Sequence, residues 1–366
     1  MPTLTPSRPA LSTNHLSLWH TRCPVPTAFS LALHLGALEE EFSAKGISWK
    51  SLQETGNPKV IQSHFSHTQE NSFRQGGNIP ALWAKSTGAE TRLIGLSWVE
   101  TPYLILSLPD SGIRTPADLK GKRLLVLRRS REAAVDFFRA TTLRTYEVAL
   151  ESAGLSLRDV TLVEIPIGQL YADAHQHPTP EDKILAQRGA QKEAVASLLR
   201  SEVDVIAVQL AVGVDLAAFI GAFTVVDLRQ SGLGRSARTN NGAPRTLTVS
   251  AGLADEYPEV VAEVVAHLLE ASAWAQFHHQ EVVRLVAREE HVSEEIIEVT
   301  YGRELSQSFE TDLSEENIAA LRSQKDFLLR HGFLAKDFDL DGWIDPRPLE
   351  RAREILVERK AAFADD

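Results

Sequence analysis

The chain has 366 residues, 43% of them hydrophobic and 24% charged, which is enough to bury a full core in two lobes and excludes wholesale disorder. A net charge of −11 excludes a broad phosphate-binding face, so no nucleic-acid partner is expected, while a small anionic substrate in a closed pocket remains open to it. One cysteine excludes an intrachain disulfide and a cysteine-based zinc site, and no metal or other cofactor is expected.

Residues 1–16, rich in proline, serine and threonine, read as a flexible arm. They lack a basic start, an apolar stretch and a small-residue cleavage site, and no run of about 18 apolar residues follows, so a cytoplasmic protein with no membrane contact is expected. A helical pattern over 27–45 leads to a strand at 46–52, with further strands at 91–96 and 103–106. Residues 113–126 read as a short helix with proline near its start, ended by Gly121 and followed by a buried strand. A helix at 194–200 then precedes a turn at Ser201-Glu202 and a strand ending at Val208. Residues 225–228 form another strand, 231–241 a long loop, and 246–249 a strand returning to the first lobe. From Tyr257 onward the pattern is helical, with Val260, Val261, Val264, Val265 and Leu268 on one face.

This alternation predicts an α/β fold of two lobes with a cleft between them. Residues 17–108 and 245–366 make the discontinuous first lobe, and 109–244 make the second. The passages at 113–126 and 194–208 are similar to those of periplasmic-binding-protein-like (type II) folds, the solute-binding scaffold. In such sheets ligands sit beyond the carboxyl ends of the strands.

Cys23 stands in Thr21-Arg22-Cys23-Pro24-Val25-Pro26-Thr27, where the prolines favour extended backbone before a helix begins near Thr27. A lone cysteine is more often a small buried hydrophobe. A thiol at the end of the first strand, close to a helix N-terminus, would instead face the cleft, where the dipole favours the thiolate. A second passage, residues 63–80, combines a candidate base in His64, a fixed cation in Arg74, and backbone that can approach an anion at Gly76 and Gly77.

The Cys-Pro-Val-Pro run, together with the frame His64, Phe65, Gln69, Arg74, Gly76, Gly77, Ile79 and Pro80, resembles the aryl-sulfinate desulfinases. The resemblance implies a hydrolase that cleaves the carbon–sulfur bond of an organic sulfinate, releasing the hydrocarbon and sulfite. It implies Cys23, His64 and Arg74 as catalytic residues and Gly77 as part of the anion site, with Gly76, Phe65, Gln69 and His67 around the substrate. Cys23 would either attack sulfur as a thiolate or protonate the ring carbon. Members of this kind can work as monomers. The family carries a tyrosine where this chain has His67, and second-lobe tryptophans in the regions of 141–143 and 208–211. The sulfinate head group is therefore implied more firmly than a biaryl body.

The alternative from another class is a cytoplasmic or transporter-associated solute-binding protein for a sulfonate- or sulfinate-like anion, without catalysis. An enzyme of thiamine-pyrimidine biosynthesis on the same scaffold is disfavoured, because its cysteine-rich motif needs more than one cysteine. His278 and His279 point about 100° apart on a helix and do not converge on one metal. His175 and His177 sit in a proline-rich loop and are read as surface residues.

Overall fold

The computed structural model describes residues 16–129, 134–167, 180–230 and 232–364. All of the expected arm but Leu16 lies outside these residues, as do His175 and His177.

Strand β1 (Ser17–Arg22) alternates its side chains. Leu18 turns into a core with Phe29 and Trp49, and His20 stacks on Trp49. Thr21 turns to the opposite face, as period two requires. Helix α1 (Ala28–Leu35) opens where the Thr27 hydroxyl accepts the Ser30 N–H, and it stops at Gly36, which has φ 79°. Helix α2 (Ala37–Ala44) restarts at once, so the pattern read as one helix over 27–45 is two. Glycine takes the left-handed turn at no steric cost, and the chain changes direction there.

Strand β2 (Ser48–Ser51) is followed by α3 (Pro58–Ser66), whose N-terminus is capped by Asn57 with proline in the first position. Next come β3 (Ser72–Gly76), α4 (Asn78–Ser86) and β4 (Thr91–Ser97). The chain then crosses into β5 (Tyr103–Ser107). The helix expected inside 113–126 is a single 3₁₀ turn over Pro116–Leu119, and the buried strand after it is β6 (Arg123–Arg129). Helix α5 (Phe137–Ser152), capped by Asp136, leads to β7 (Thr161–Ile167) and α6 (Pro180–Leu199). Ser201 occupies the following turn with φ 58°, a conformation that suits glycine.

Strand β8 (Ile206–Gln209), α7 (Leu210–Phe219) and β9 (Phe223–Asp227) come next. The stretch expected as a long loop holds a short helix, α8 (Arg235–Arg238). Strand β10 (Arg245–Ser250) and α9 (Ala251–Glu256) precede the helical tail of α10 (Pro258–Ala275), α11 (His279–Glu290), α12 (Glu294–Tyr301), α13 (Glu315–Arg330) and α14 (Arg347–Ala364).

The first sheet has the order β2-β1-β3-β10-β4, with β1, β2 and β3 parallel and β10 antiparallel to both of its neighbours. The strand expected to return to the first lobe thus enters the interior of its sheet. The remaining strands form an antiparallel group β8-β5-β9 and a parallel pair β6-β7, joined by a bridge between Leu124 and Val205. Helix α10 packs between α1 and α14 through Val261, Val264, Val265 and Leu268, all fully buried. At about 1.5–3 kcal/mol for each such side chain, this seam is a major anchor of the three helices.

Candidate active site

Thr21 and Cys23 are two residues apart at the end of β1, so both project from the same face of the sheet. Helix α3 lies over that face and delivers His64 from its last turn. Cys23 Sγ lies 3.7 Å from His64 Nε2, and Thr21 Oγ1 lies 2.7 Å from His64 Nδ1. Gln53 Nε2 donates to Thr21 Oγ1 at 2.5 Å. Thr21 is buried, and His64 Nδ1 is the acceptor within reach of its hydroxyl proton. The arrangement that satisfies every group therefore has Thr21 donating to Nδ1, which leaves the imidazole proton on Nε2, aimed at the Cys23 sulfur.

Arg74 lies on β3, in register with Thr21 across the parallel pair. Its guanidinium is buried and built into the backbone: Nε donates to the His64 carbonyl at 2.9 Å and Nη1 to the Gly77 carbonyl at 3.0 Å. Nη2 points to Cys23 Sγ at 3.8 Å. Two edges of the guanidinium fix its position, and one faces the sulfur.

Gly76 packs so closely on Cys23 that a Cβ there would collide with the sulfur, and one on Gly77 would fall 2.5 Å from Asn241 Oδ1. Among the described residues the Gly77 N–H has no hydrogen-bond partner, and α4 begins at the next residue. The first helical N–H groups are taken: Asn78 donates to the Asn241 carbonyl at 2.9 Å, and Ile79 to Asn241 Oδ1 at 3.1 Å. The site is thus a partly exposed thiol with an imidazole and a guanidinium donor against it, beside a helix N-terminus.

Phe65 is buried, meets His64 edge to face at 4.8 Å and stacks on Phe137 of α5 at 6.2 Å. His67 is buried at the end of α3, with Nε2 lacking a partner among the described residues. Burial, and then the Arg74 charge, hold it well below the ordinary histidine range, so it is neutral. Gln69 is half-buried in the bend after α3, with its backbone N–H on Ser63 Oγ and its amide on the Glu70 carbonyl, and does not join the Cys23 cluster. His278 stacks on Trp274 and His279 bonds Ser306 and Glu298, so the two are occupied separately. The residues that sequence reasoning missed are Thr21, Gln53 and Asn241. Thr21 carried a signal, standing two places before Cys23 in a strand, whereas Gln53 and Asn241 carried none.

At the end of β1 the opposite, core-facing side also carries charged groups. Arg22 pairs with Glu289 at 2.6 Å, and Glu290 accepts from Tyr301 Oη at 2.6 Å and from the Ala211 N–H at 2.8 Å. Burial pushes both carboxyls up to about 7.

Such a fold, two α/β units with polar groups gathered at strand ends, is that of the solute-binding scaffold. The family described as NMT1/THI5 like matches residues 42–177. The periplasmic aliphatic sulphonate binding protein SsuA from Escherichia coli superimposes with a TM-score of 0.64 at 17% identity, over 90% of this chain and 92% of that one. On this scaffold the chain resembles the aryl-sulfinate desulfinases. It is 29% identical to 2'-hydroxybiphenyl-2-sulfinate desulfinase from Rhodococcus erythropolis over 361 positions, covering 92% of this chain and 93% of that protein. The DSZB desulfinase crystallised as a cysteine-to-serine mutant with biphenyl-2-sulfinic acid matches with a TM-score of 0.74 at 26% identity, over 92% of this chain and 99% of that one.

Proposed function

We propose that this protein is an aryl-sulfinate desulfinase, a hydrolase that converts Ar–SO₂⁻ and water into Ar–H and HSO₃⁻. The observation that carries the reading is the Cys23 sulfur facing His64 Nε2 at 3.7 Å and Arg74 Nη2 at 3.8 Å, in a chain aligned with a desulfinase over 92% of its length.

With His64 and Arg74 both donating toward the sulfur, the thiol proton is not used inside the network and is available to the substrate carbon. Cys23 would protonate that carbon as the C–S bond breaks, giving Ar–H, SO₂ and a thiolate. The two donors would stabilise the charge that forms on sulfur, and Arg74 and the Gly77 N–H would hold the sulfinate oxygens. Water adds to SO₂ to give HSO₃⁻ and a proton, and the proton restores the thiol.

The test is sulfite release from benzenesulfinate and biphenyl-2-sulfinate by the wild type and Cys23→Ser. The expected result is sulfite from the wild type and background release from the variant, which still binds the sulfinate. Tight binding with no sulfite from the wild type would return the chain to the solute-binding class. Normal turnover by Cys23→Ser would remove the cysteine from the mechanism.

A further inference from the structure

Helix α4 begins against the turn that carries Asn240 and Asn241, and Asn241 takes two of its opening N–H groups. The Asn241 carbonyl accepts the Asn78 N–H at 2.9 Å, and Oδ1 accepts the Ile79 N–H at 3.1 Å. Pro80 follows and has no N–H to offer. Only the amide oxygen can accept from Ile79, so this bond fixes which way the Asn241 amide is turned and leaves Nδ2 as a donor. Asn241 is half-buried, and among the described residues Nδ2 has no acceptor. Two donors therefore remain at this helix end, the Gly77 N–H and Asn241 Nδ2.

Gly77 borders the Cys23 cluster directly. Arg74 reaches from the sulfur, 3.8 Å from Nη2, to the Gly77 carbonyl, 3.0 Å from Nη1, and Gly76 packs on the same sulfur. A Cβ on Gly77 would fall 2.7 Å from Asn241 Nδ2. Such an atom stands about 2.5 Å from its own nitrogen, which puts the two donors within about 5 Å of each other. N–H groups at that separation can meet on one oxygen, because each bond spans about 2.9 Å. The turn is held from several sides. Asn240 Nδ2 donates to the Thr141 carbonyl and to Thr145 Oγ1, both at 3.0 Å, and Asn240 Oδ1 accepts the Asn241 N–H at 2.8 Å. Tyr103 Oη accepts the Gly242 N–H at 2.6 Å.

We propose that Asn241 Nδ2 is a further donor to the sulfinate oxygens, beside the Gly77 N–H and Arg74, and that it serves affinity and not the bond-breaking step. The inference rests on the sulfinate reading of the Cys23 site. Arg74 commits two edges to carbonyls, so one guanidinium edge and one N–H are few donors for two charged oxygens, and Nδ2 adds a charge-assisted bond. As carbon takes the Cys23 proton and the C–S bond breaks, SO₂ leaves neutral and the negative charge passes to the Cys23 sulfur. The oxygens lose charge on the way to the transition state, so a donor held against them stabilises the bound substrate at least as much.

Asn241→Asp separates this role from the structural one. It keeps an oxygen for the Ile79 N–H and puts a carboxylate oxygen where Nδ2 stood. Stability in urea should match or exceed that of the parent, since an anionic side chain suits a helix start. Calorimetry with benzenesulfinate on Cys23→Ser, with and without Asn241→Asp, should show binding weakened about tenfold or more, the loss of one charge-assisted hydrogen bond. In sulfite release by the wild-type background, the loss should appear in KM, which rises by a similar factor, and not in kcat. In Cys23→Ser alone, the Asn241 side-chain amide protons should shift downfield in NMR as benzenesulfinate is added, a readout that needs no change at position 241. Unchanged affinity in Asn241→Asp, an unmoved amide signal, or a fall in kcat with KM unchanged would each overturn the assignment. Binding that depends on Asn241, with no sulfite from the wild type, would uphold Asn241 as an anion ligand and refute the desulfinase reading. If benzenesulfinate neither binds nor turns over, both fall.

Discussion

Replacing Thr21 by valine keeps the shape of the side chain and deletes one hydroxyl. That hydroxyl accepts from Gln53 at 2.5 Å and reaches His64 Nδ1 at 2.7 Å. Gln53 is half-buried and can turn to water, but Nδ1 belongs to a fully buried ring and is left without its donor. An unsatisfied buried group of this kind costs about 1–3 kcal/mol, so Thr21→Val should lose about 2 kcal/mol in urea unfolding. The hydrogen bond also biases the imidazole toward the form protonated on Nε2. Removing a bias of about 1.4 kcal/mol changes the tautomer ratio about tenfold. In a sulfite-release assay with benzenesulfinate, kcat should fall about tenfold while KM changes little, because Thr21 does not reach the cleft. Thr21→Ser, which keeps the hydroxyl, should recover most of the rate. The nitrogen-15 shifts of the His64 ring should report Nε2 protonation in the wild type and a mixture in the valine variant. A valine variant with wild-type kcat and an unchanged ring spectrum would refute the relay, as would a serine variant no better than valine.

Gly76→Ala places a Cβ against the Cys23 sulfur and must displace it; a shift of about 1 Å costs about a hundredfold in kcat, with the circular dichroism unchanged, and a wild-type rate would show that the sulfur is not held there. Burial first, and then the Arg22 charge, push His20 down from 6.5 to about 4. Between those values the unfolded chain binds a proton that the folded chain refuses, so the His20 contribution is intact above 6.5 and is lost as pH falls toward 4. His20→Phe lacks this penalty, and its stability relative to wild type in urea should improve by about 2 kcal/mol between pH 7 and pH 5; a gap that does not change with pH would contradict the burial argument. Ser201→Gly relieves a left-handed residue and should raise stability by about 0.5–1 kcal/mol in the same assay, whereas a loss would mean that the serine contributes a contact worth more than the strain.

Much of the scaffold was legible because its signals are local. Leucine- and valine-rich runs announced β4, β5, β6 and β10, and the glycine that splits α1 from α2 stood in plain view within a pattern otherwise read as continuous. The meeting of Cys23, His64 and Arg74 was anticipated from residue types at a suggestive spacing together with a resemblance. What stayed hidden depends on pairing at a distance. Gln53 reaches Thr21 from the turn after β2, and Asn241 reaches α4 from the turn just before β10. Neither residue type carries a preference that would single it out. Nor does a sequence tell how an arginine divides its donors: Arg74 devotes two edges to carbonyls, which rigidifies the third. Phe137 and Phe138 were equally silent, since aromatic residues at a helix start are ordinary core until a partner such as Phe65 arrives from another element.

The place of β10 in the first sheet has a consequence for a chain emerging from the ribosome. Cys23, His64 and Arg74 are all made within the first 74 residues, yet β3, which carries Arg74, has β10 as one neighbour. Until residue 250 has been translated, β3 and β4 each present a bare edge, and nascent edges of this kind invite pairing with the wrong strand. The strands outside this sheet, β5 to β9, are complete by residue 227 and can settle first. The residues of the Cys23 cluster are therefore made early and their sheet is completed late, and a chain that stops before β10 carries all three without the neighbour that closes the edge of β3.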